Sequence, residues 1–451
     1  MKTGHGWLLA AACFLGMMNC RTGLADSEPT IPSAPESFSA EPGGLSELSL
    51  KEAYLRALAR SEAIAIKKEE IAKTRAQWLK ATGEAVGDMD FVLTDALQAT
   101  QDSGSSSGGS VGSSLTAEEK RERKWTFTQP LFQGFKSLGA LGGAGSLTRQ
   151  RRHEKRRSEE LLFLDTVSAF YGLLSQRRDV ETIESTLRLF EERIAFLHER
   201  EGIGRARPSE VVTARARMRR LQGELAHARG GRAAAEHLLE FYTGLPLDRT
   251  SLADPSEGQT LAGAPDQYLR DIASRSDVEA AAAAQKTAKQ AVVVSQSDFW
   301  PQITLESNHY EKREGFQSGI DWDLLFKISM PLYKGGESLG AFKEAVSNWK
   351  MAKLSYELAK READLEVKQA YSAWQASWDE LQALQLALQD SEENYRLQKE
   401  EYDRSLVNNL EVLEALEELL NTRRDTNRAQ YELKENYWRL ETAAGKCCES
   451  L

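Results

Sequence analysis

Two segments in the second half of the chain alternate between apolar and polar residues, which is the period of a β-strand. They are residues 302–310 and 321–330. In the second segment Trp322 and Phe326 share an apolar face, and Asp323 lies on the polar one. A weaker pair of strands is predicted earlier, with apolar residues at Met89, Phe91, Leu93 and Leu97 in one strand and at Trp125 and Phe127 in the other.

After each strand pair comes a long tract almost without helix-breaking residues, at 137–202 and 337–404. Their apolar residues lie three and four positions apart, as in helices that pack side by side in a coiled coil. At 1.5 Å per residue, each helix would reach about 100 Å. Shorter helices are predicted over residues 45–80, 209–242 and 266–297.

The second half of the chain repeats the first. Pro130 matches Pro331 and Gly244 matches Gly445, each 201 residues apart, a register too long for chance similarity between two Ala/Glu-rich helices. Arg60 matches Arg275 at 215 residues, so we assign 14 extra residues to the Ser/Gly-rich stretch 101–114. The predicted organisation is a signal peptide (1–25), a flexible segment (26–44), a first repeat (45–244), a linker (245–265), a second repeat (266–445) and a tail (446–451).

Each strand pair meets its long helix at a similar motif, TFTQPLFQGF from Thr126 and SMPLYKGG from Ser329. Proline has no N–H to donate, so Pro130 is predicted to end strand pairing. Gly134 would then supply the backbone freedom needed before the helix. The second junction has Pro331, Gly335 and Gly336 at the corresponding places.

The N-terminus has a basic Lys2 followed by an apolar run at residues 7–18, which predicts a secretory signal cleaved after Ala25. A membrane anchor is the alternative, but about 12 apolar residues fall short of the roughly 20 that span a bilayer. A second alternative is a lipid anchor at Cys20, because residues 17–20 resemble a lipoprotein box. Cleavage after Ala25 would leave only two adjacent cysteines, so the fold must stand without disulfides.

The strands, with one apolar, aromatic face and one polar face, suit lipid outside and water inside a barrel. A soluble sheet covering a core is the alternative, but the exported chain offers no globular segment to be covered. Four strands cannot close a barrel, and open edges in lipid leave backbone groups unpaired. Three chains would supply twelve strands. The predicted membrane-interface aromatics, for which packing between strands is the alternative, are Trp125, Phe316, Trp322 and Phe326.

These features together resemble the TolC-like outer membrane efflux protein family over about residues 45–445. The similarity rests on LSLKEAYLRALARSEAIAIKKEEIAKTRAQ from Leu48, FWPQITL from Phe299, SMPLYKGG from Ser329 and LVNNLEVLEALEELL from Leu406. The resemblance implies a mostly α fold with a small β part. It also implies a homotrimer, in which a twelve-stranded outer-membrane barrel continues into a periplasmic barrel of coiled-coil helices.

The same resemblance implies a passive exit duct for efflux or type I secretion, working with an inner-membrane transporter and a periplasmic adaptor. The alternative is an exported coiled-coil scaffold or adhesin without channel activity. No enzyme is expected, since the chain has no nucleotide loop or nucleophile motif and its six histidines lack ligand spacing. No cofactor or metal is predicted either. The basic run at residues 149–157 would suggest nucleic acid in a cytosolic protein, but in an exported helix it predicts a charged outer face.

Members of the family carry a turn with two carboxylates at the periplasmic tip, where they narrow the closed pore. Glu411 and Glu414 fall on these acidic positions, so the resemblance implies a pore constriction there. Ordinary solvated glutamates near a helix start are the alternative. Tyr402 matches a latch tyrosine, but Ser405 and Val407 replace the usual glycine and a latch arginine. In the first repeat, the positions expected to form a latch or an adaptor contact, or else a plain solvated turn, are Arg205, Arg207 and Glu210.

Overall fold

The computed structural model of the chain describes residues 47–97, 119–247, 250–254, 263–270, 272–314 and 318–446. The predicted signal peptide, the candidate lipid anchor at Cys20, the Ser/Gly-rich stretch and Phe316 lie outside the described residues. Within them, no helix has the length and apolar character that crossing a membrane requires.

Twelve named elements of at least five residues follow one another in the described parts of the chain. The helices are α1 (Leu50–Arg60), α2 (Glu62–Val86), α3 (Lys136–Gly202), α4 (Pro208–Thr243), α5 (Pro265–Leu269), α6 (Ser276–Ser295), α7 (Glu337–Asp403) and α8 (Asn409–Ala443). The strands are β1 (Asp88–Leu97), β2 (Glu119–Gln133), β3 (Gln302–Arg313) and β4 (Trp322–Ser329).

The two long helices are confirmed. Helices α3 and α7 each have 67 residues, which at 1.5 Å per residue is about 100 Å. They begin at Lys136 and Glu337, so their starts are 201 residues apart, like the matched motifs of the two halves. The duplication itself stays a prediction.

Two of the predicted shorter helices are interrupted. The tract over 45–80 breaks at Ser61, whose extended backbone ends α1 and whose hydroxyl accepts a hydrogen bond from the Ile64 amide at the start of α2. The tract over 266–297 breaks before Ser276, where α6 begins after an extended Arg275. Both breaks follow an Arg-Ser pair, whose serine or arginine makes contacts that a continuous helix would not allow.

The four strands form one antiparallel sheet in the order β1-β2-β3-β4. Its register places Phe91 opposite Trp125, Trp125 opposite His309 and His309 opposite Trp322. Because paired residues point to the same side of a sheet, the apolar alternation of the four strands falls on one face. Its members are Met89, Phe91, Leu93, Trp125, Phe127, Ile303, Leu305, Trp322, Leu324, Phe326 and Ile328.

This apolar face stays uncovered. Met89 is 62% exposed, Trp322 65% and Ile328 61%. A sheet that closes over a core buries such residues. Within the described residues the face therefore covers no core, which removes the main support for the soluble-sheet alternative.

The prediction that Pro130 ends strand pairing was wrong. Strand β2 runs on to Gln133, with Pro130 opposite Thr304 and Phe132 opposite Ile303. The register shifts between Pro130 and Phe132, which is a β-bulge. A bulge tolerates the missing proline N–H and adds one residue, so Phe132 returns to the apolar face. At the second junction, β4 ends at Ser329 and Pro331 lies beyond it.

Two left-handed residues stand at each turn from sheet to helix. They are Gly134 and Phe135 (φ 58° and 68°), and Gly335 and Gly336 (φ 59° and 89°). At Gly134 a Cβ atom would also lie 2.6 Å from the Ser297 carbonyl oxygen, so only glycine fits there. Phe135 adopts this costly conformation while its ring packs edge-to-face on Trp300, with centroids 5.7 Å apart.

Helices α3 and α8 carry most of the core. Around their middle, Phe163 packs edge-to-face on both Tyr54 and Trp438, with centroids 5.2 Å and 5.3 Å away. A second apolar cluster continues from there to the far ends of the helices, where Leu197, Tyr402 and Leu413 are buried. This cluster positions the two turns described next.

Candidate functional site

The far ends of the long helices turn back at residues 203–207 and 404–408, which we call the first and second tip turns. Gly204 (φ 71°) and Ser405 (φ 60°) take the same left-handed conformation, 201 residues apart. In each turn the next amide donates to a carbonyl in the last helical turn, the pattern of a glycine-type helix end. Ser405 therefore accepts a conformation that costs a residue with a Cβ atom about 1 kcal/mol.

A tyrosine–carboxylate bond joins the two tip turns. The Tyr402 hydroxyl, in the last turn of α7, donates to Glu210 Oε2 in the first turn of α4 at 2.8 Å. The tyrosine is only 6% exposed. Its burial and the bond to Glu210 raise the pKa of Tyr402 to about 12. The structure thus brings together two of the residues named as latch candidates.

Two arginines on α3 hold the same tyrosine. The guanidinium of Arg193 lies 4.0 Å from the Tyr402 ring centroid and that of Arg200 lies 4.9 Å from it. Arg200 Nη1 also donates to the Tyr402 carbonyl oxygen at 3.1 Å, and the side chain pairs with Asp403 at 3.7 Å. Arg193 donates from Nε and Nη2 to Asn409 Oδ1 at 3.0 Å and 2.9 Å. We call these residues, with Glu210, the tip cluster.

The sequence analysis missed both arginines. They are seven residues apart with Phe196 between them, so they lie on one face of α3. That spacing was the available signal, but nothing in it pointed to a tyrosine about 200 residues further on.

The two candidate pore carboxylates lie at the start of α8. Asn408 caps the helix, accepting from the Leu410 and Glu411 amides, and its own amide donates to Glu411 Oε1 at 2.7 Å. Glu411 is half-buried and Glu414 is exposed. Glu411 therefore has a local partner in the cap, while its role in a pore stays a prediction, as does that of Glu414.

Arg205 and Arg207 are exposed on the first tip turn and take no part in the tip cluster. Beside them the turns expose apolar residues, with Ile203 at 68% and Leu406 at 70%. The end of each helix pair therefore presents a mixed basic and apolar surface.

The comparisons with known proteins agree with this architecture. Residues 270–446 match the family described as outer membrane efflux protein. The cation efflux system protein CusC of Escherichia coli O6:H1 is 25% identical over 376 residues, covering 79% of each chain. The chain belongs to the TolC-like family of outer membrane efflux proteins.

Another relative is the alkaline protease secretion protein AprF of Pseudomonas aeruginosa, 25% identical over 331 residues that cover 70% of this chain and 68% of AprF. Among solved structures, CusC superimposes with a TM-score of 0.77 at 19% identity, covering 92% of this chain and 97% of its own. VceC of Vibrio cholerae gives 0.76 at 20% identity, covering 88% and 96%. The fold is that of these channels.

In this outer membrane efflux protein, the predicted interface aromatics form one level of the sheet. Trp125 and Trp322 share a row with Phe91, whose ring lies 4.8 Å from that of Trp125. Phe326 lies four residues along β4 from Trp322, so it belongs nearer the middle of the sheet. Its assignment to the same boundary is not supported by this register.

A second aromatic group, which the sequence analysis missed, lies where the sheet meets the helices. Phe132, Phe135 and Trp300 pack edge-to-face, with centroids 5.3 Å to 6.5 Å apart. Phe132 is seven residues along β2 from Trp125, about 24 Å of strand at 3.4 Å per residue. That separation is close to the apolar band of roughly 25 Å in outer-membrane barrels.

The polar face of the sheet is internally bonded. Thr126 Oγ1 donates to Asn308 Oδ1 at 2.8 Å, and Asn308 Nδ2 donates to Asp323 Oδ1 at 2.9 Å. Tyr310 donates to the other oxygen of Asp323 at 2.7 Å. The network crosses β2, β3 and β4, so this face is ordered without a hydrophobic partner.

The basic run at 149–157 differs from its prediction as a charged outer face. Three of its side chains are half-buried and pair with neighbouring helices: Arg151 with Glu70 of α2 at 3.5 Å, His153 with Glu279 of α6 at 2.9 Å, and Arg157 with Glu366 of α7 at 3.2 Å. The run neutralises carboxylates between helices. Across the described residues, no group of three His, Cys, Asp or Glu side chains could hold a metal ion.

Proposed function

We propose that this chain forms the outer-membrane exit duct of a tripartite efflux or type I secretion system. Three copies close a twelve-stranded barrel, and their long helices line a periplasmic tunnel. Substrates enter from an inner-membrane transporter and a periplasmic adaptor and leave passively. The observation that carries the proposal is the sheet, which has an exposed apolar face and a bonded polar face.

The sheet supports assembly because it is open. Strands β1 and β4 are its two edges, and each has one side without a strand partner in the described chain. In lipid such edges leave N–H and C=O groups unpaired at several kcal/mol each. Pairing β4 of one copy with β1 of the next removes every edge and puts Trp322 beside the Phe91 row of its neighbour.

The tip cluster supports a closed resting state. Tyr402 and Glu210 tie the two helix pairs of one chain together beside the start of α8, which carries Glu411 and Glu414. Three copies would gather six of these carboxylates in a ring that narrows the pore and favours cations. Arg205 and Arg207, exposed on the first tip turn, suit contact with the adaptor.

Conductance of the purified protein tests the duct. The protein in detergent is expected to be a trimer by light scattering and to conduct ions in planar bilayers. A monodisperse protein that stays in solution without detergent and conducts nothing would support the exported coiled-coil scaffold instead. The relatives include one protein named for cation efflux and one named for protease secretion, so the cargo follows from the transporter encoded beside this chain.

The carboxylate ring has its own test. Replacing both Glu411 and Glu414 with Ala is expected to lower cation selectivity and to weaken block by trivalent cations. Glu432→Ala, an exposed glutamate further along α8, is the matched control and should change neither. If the double variant keeps wild-type selectivity and block, the two glutamates do not line the pore.

A further inference from the structure

Arg193 is buried without a carboxylate partner. It is 4% exposed, and within the described residues no acidic oxygen lies within ion-pair distance of it. Its Nη1 atom is buried and has no hydrogen-bond partner there. Desolvation lowers the pKa of Arg193, although nearby tyrosines and Asp403 oppose the shift. A buried charge of this kind is unfavourable, so an apolar side chain of similar volume would stabilise the fold better.

The contacts of Arg193 explain what the charge does in this position. From α3 it reaches both sides of the second tip turn, with its guanidinium over the Tyr402 ring and two donors on Asn409 Oδ1. Tyr402 ends α7 and Asn409 begins α8. One side chain therefore fixes both ends of that turn to the neighbouring helix pair.

The other half of the chain does not repeat this arrangement. The position 201 residues after Arg193 is Asn394, and the position 201 residues before Asn409 is Pro208. Proline has no side-chain acceptor, so the corresponding contact cannot form. The tie is a feature of one tip turn rather than of the shared helix pattern.

We propose that Arg193 is a positioning residue that holds the second tip turn, and with it the start of α8, in the closed position. This inference rests on the proposed duct. Arg193 acts through Asn409 and the Tyr402 ring, and its unpaired charge keeps the turn fixed at the expense of fold stability. Loss of the charge should therefore loosen the gate while leaving the folded chain intact.

Two variants move the gate in opposite directions. Arg193→Met keeps the volume and removes both hydrogen bonds, so the open probability in planar bilayers is expected to rise about tenfold. The melting temperature of the trimer should stay equal or rise. Asn409→Asp gives Arg193 a carboxylate in place of an amide, which strengthens the bond, so the open probability should fall. In the double variant the effect of Asn409→Asp should disappear.

Arg188→Met is the matched control, because Arg188 lies on the same helix but is exposed. A wild-type open probability in Arg193→Met, or a fall in melting temperature without a change in gating, would make Arg193 a structural residue only. If Arg193→Met does not assemble, an unchanged or raised open probability in Asn409→Asp overturns the proposal. A wild-type protein that forms no channels would instead refute the duct itself.

Discussion

Replacing Tyr402 with Phe removes one oxygen atom from the tip cluster. The ring stays in its buried position between Arg193 and Arg200, and only the 2.8 Å bond to Glu210 is lost. A hydrogen bond to a charged group contributes about 1.5–3 kcal/mol. The closed state of each subunit should therefore lose about 10-fold to 150-fold in its equilibrium with the open state.

Single-channel recording in planar bilayers measures this shift as a rise in open probability. Tyr395→Phe is the control, because Tyr395 lies seven residues earlier on the same helix, is half-buried and has no hydrogen bond within the described chain. The reasoning fails if the two variants behave alike, or if Tyr402→Phe keeps the wild-type open probability. The latter result would place the closing interaction outside the pair of helix ends that Tyr402 joins.

The same bond predicts a pH dependence. In the closed state the pKa of Tyr402 is about 12, whereas an exposed tyrosine titrates near 10. Because the raised pKa belongs to the closed state, its contribution is complete below about pH 10 and is lost as the pH rises toward about 12. Open probability should increase across that interval in the wild-type protein. Tyr402→Phe should remove this part of the pH response.

Further predictions concern the junction, the core and the assembly. Gly134→Ala should lower the melting temperature more than Gly335→Ala, because both have φ near 60° but only Gly134 is also crowded; equal losses would contradict this. Burial raises the pKa of Tyr171 to about 12, so the melting temperature should fall from pH 10 to 12 by less in Tyr171→Phe than in the wild type. Gly139 of α3 touches Val294 of α6, and the repeat offsets map this pair onto Gly340 and Leu79 of adjacent subunits. Cysteines at those two positions should form cross-linked oligomers on oxidising gels, and single-cysteine variants should not.

Helix ends marked by glycine and proline could be predicted from the sequence. Gly204 and Pro208 bound the first tip turn, and the predicted helix ends agree with the structure within one residue. The break at Ser61 could not be found this way, because serine is tolerated in helices and its cap bond forms only once the chain has turned. Pro130 misled for a related reason, since the bulge that accommodates it depends on the partner strand.

The tip cluster was out of reach for a different reason. Periodicity assigns residues to the faces of their own helix, but it does not say which two helices meet. Arg193 and Asn409 are 216 residues apart and lie on helices of different repeats. The resemblance supplied Tyr402 and Glu210 as candidates, whereas the cations around them came only from the packing of α3 against α7 and α8.

The repeats also explain why a trimer of this chain should close with three ties rather than six. Tyr402 corresponds to Glu201 and Glu210 corresponds to Glu411 at the 201-residue offset. Where the two halves alternate around an axis, the counterpart of the Tyr402–Glu210 bond would bring Glu201 toward Glu411 of another chain. Two carboxylates repel and have no proton to share at neutral pH. The same fold thus offers a bond within each chain and no equivalent bond between chains, so the second tip turn of each chain is fastened on one side and free to swing from the other.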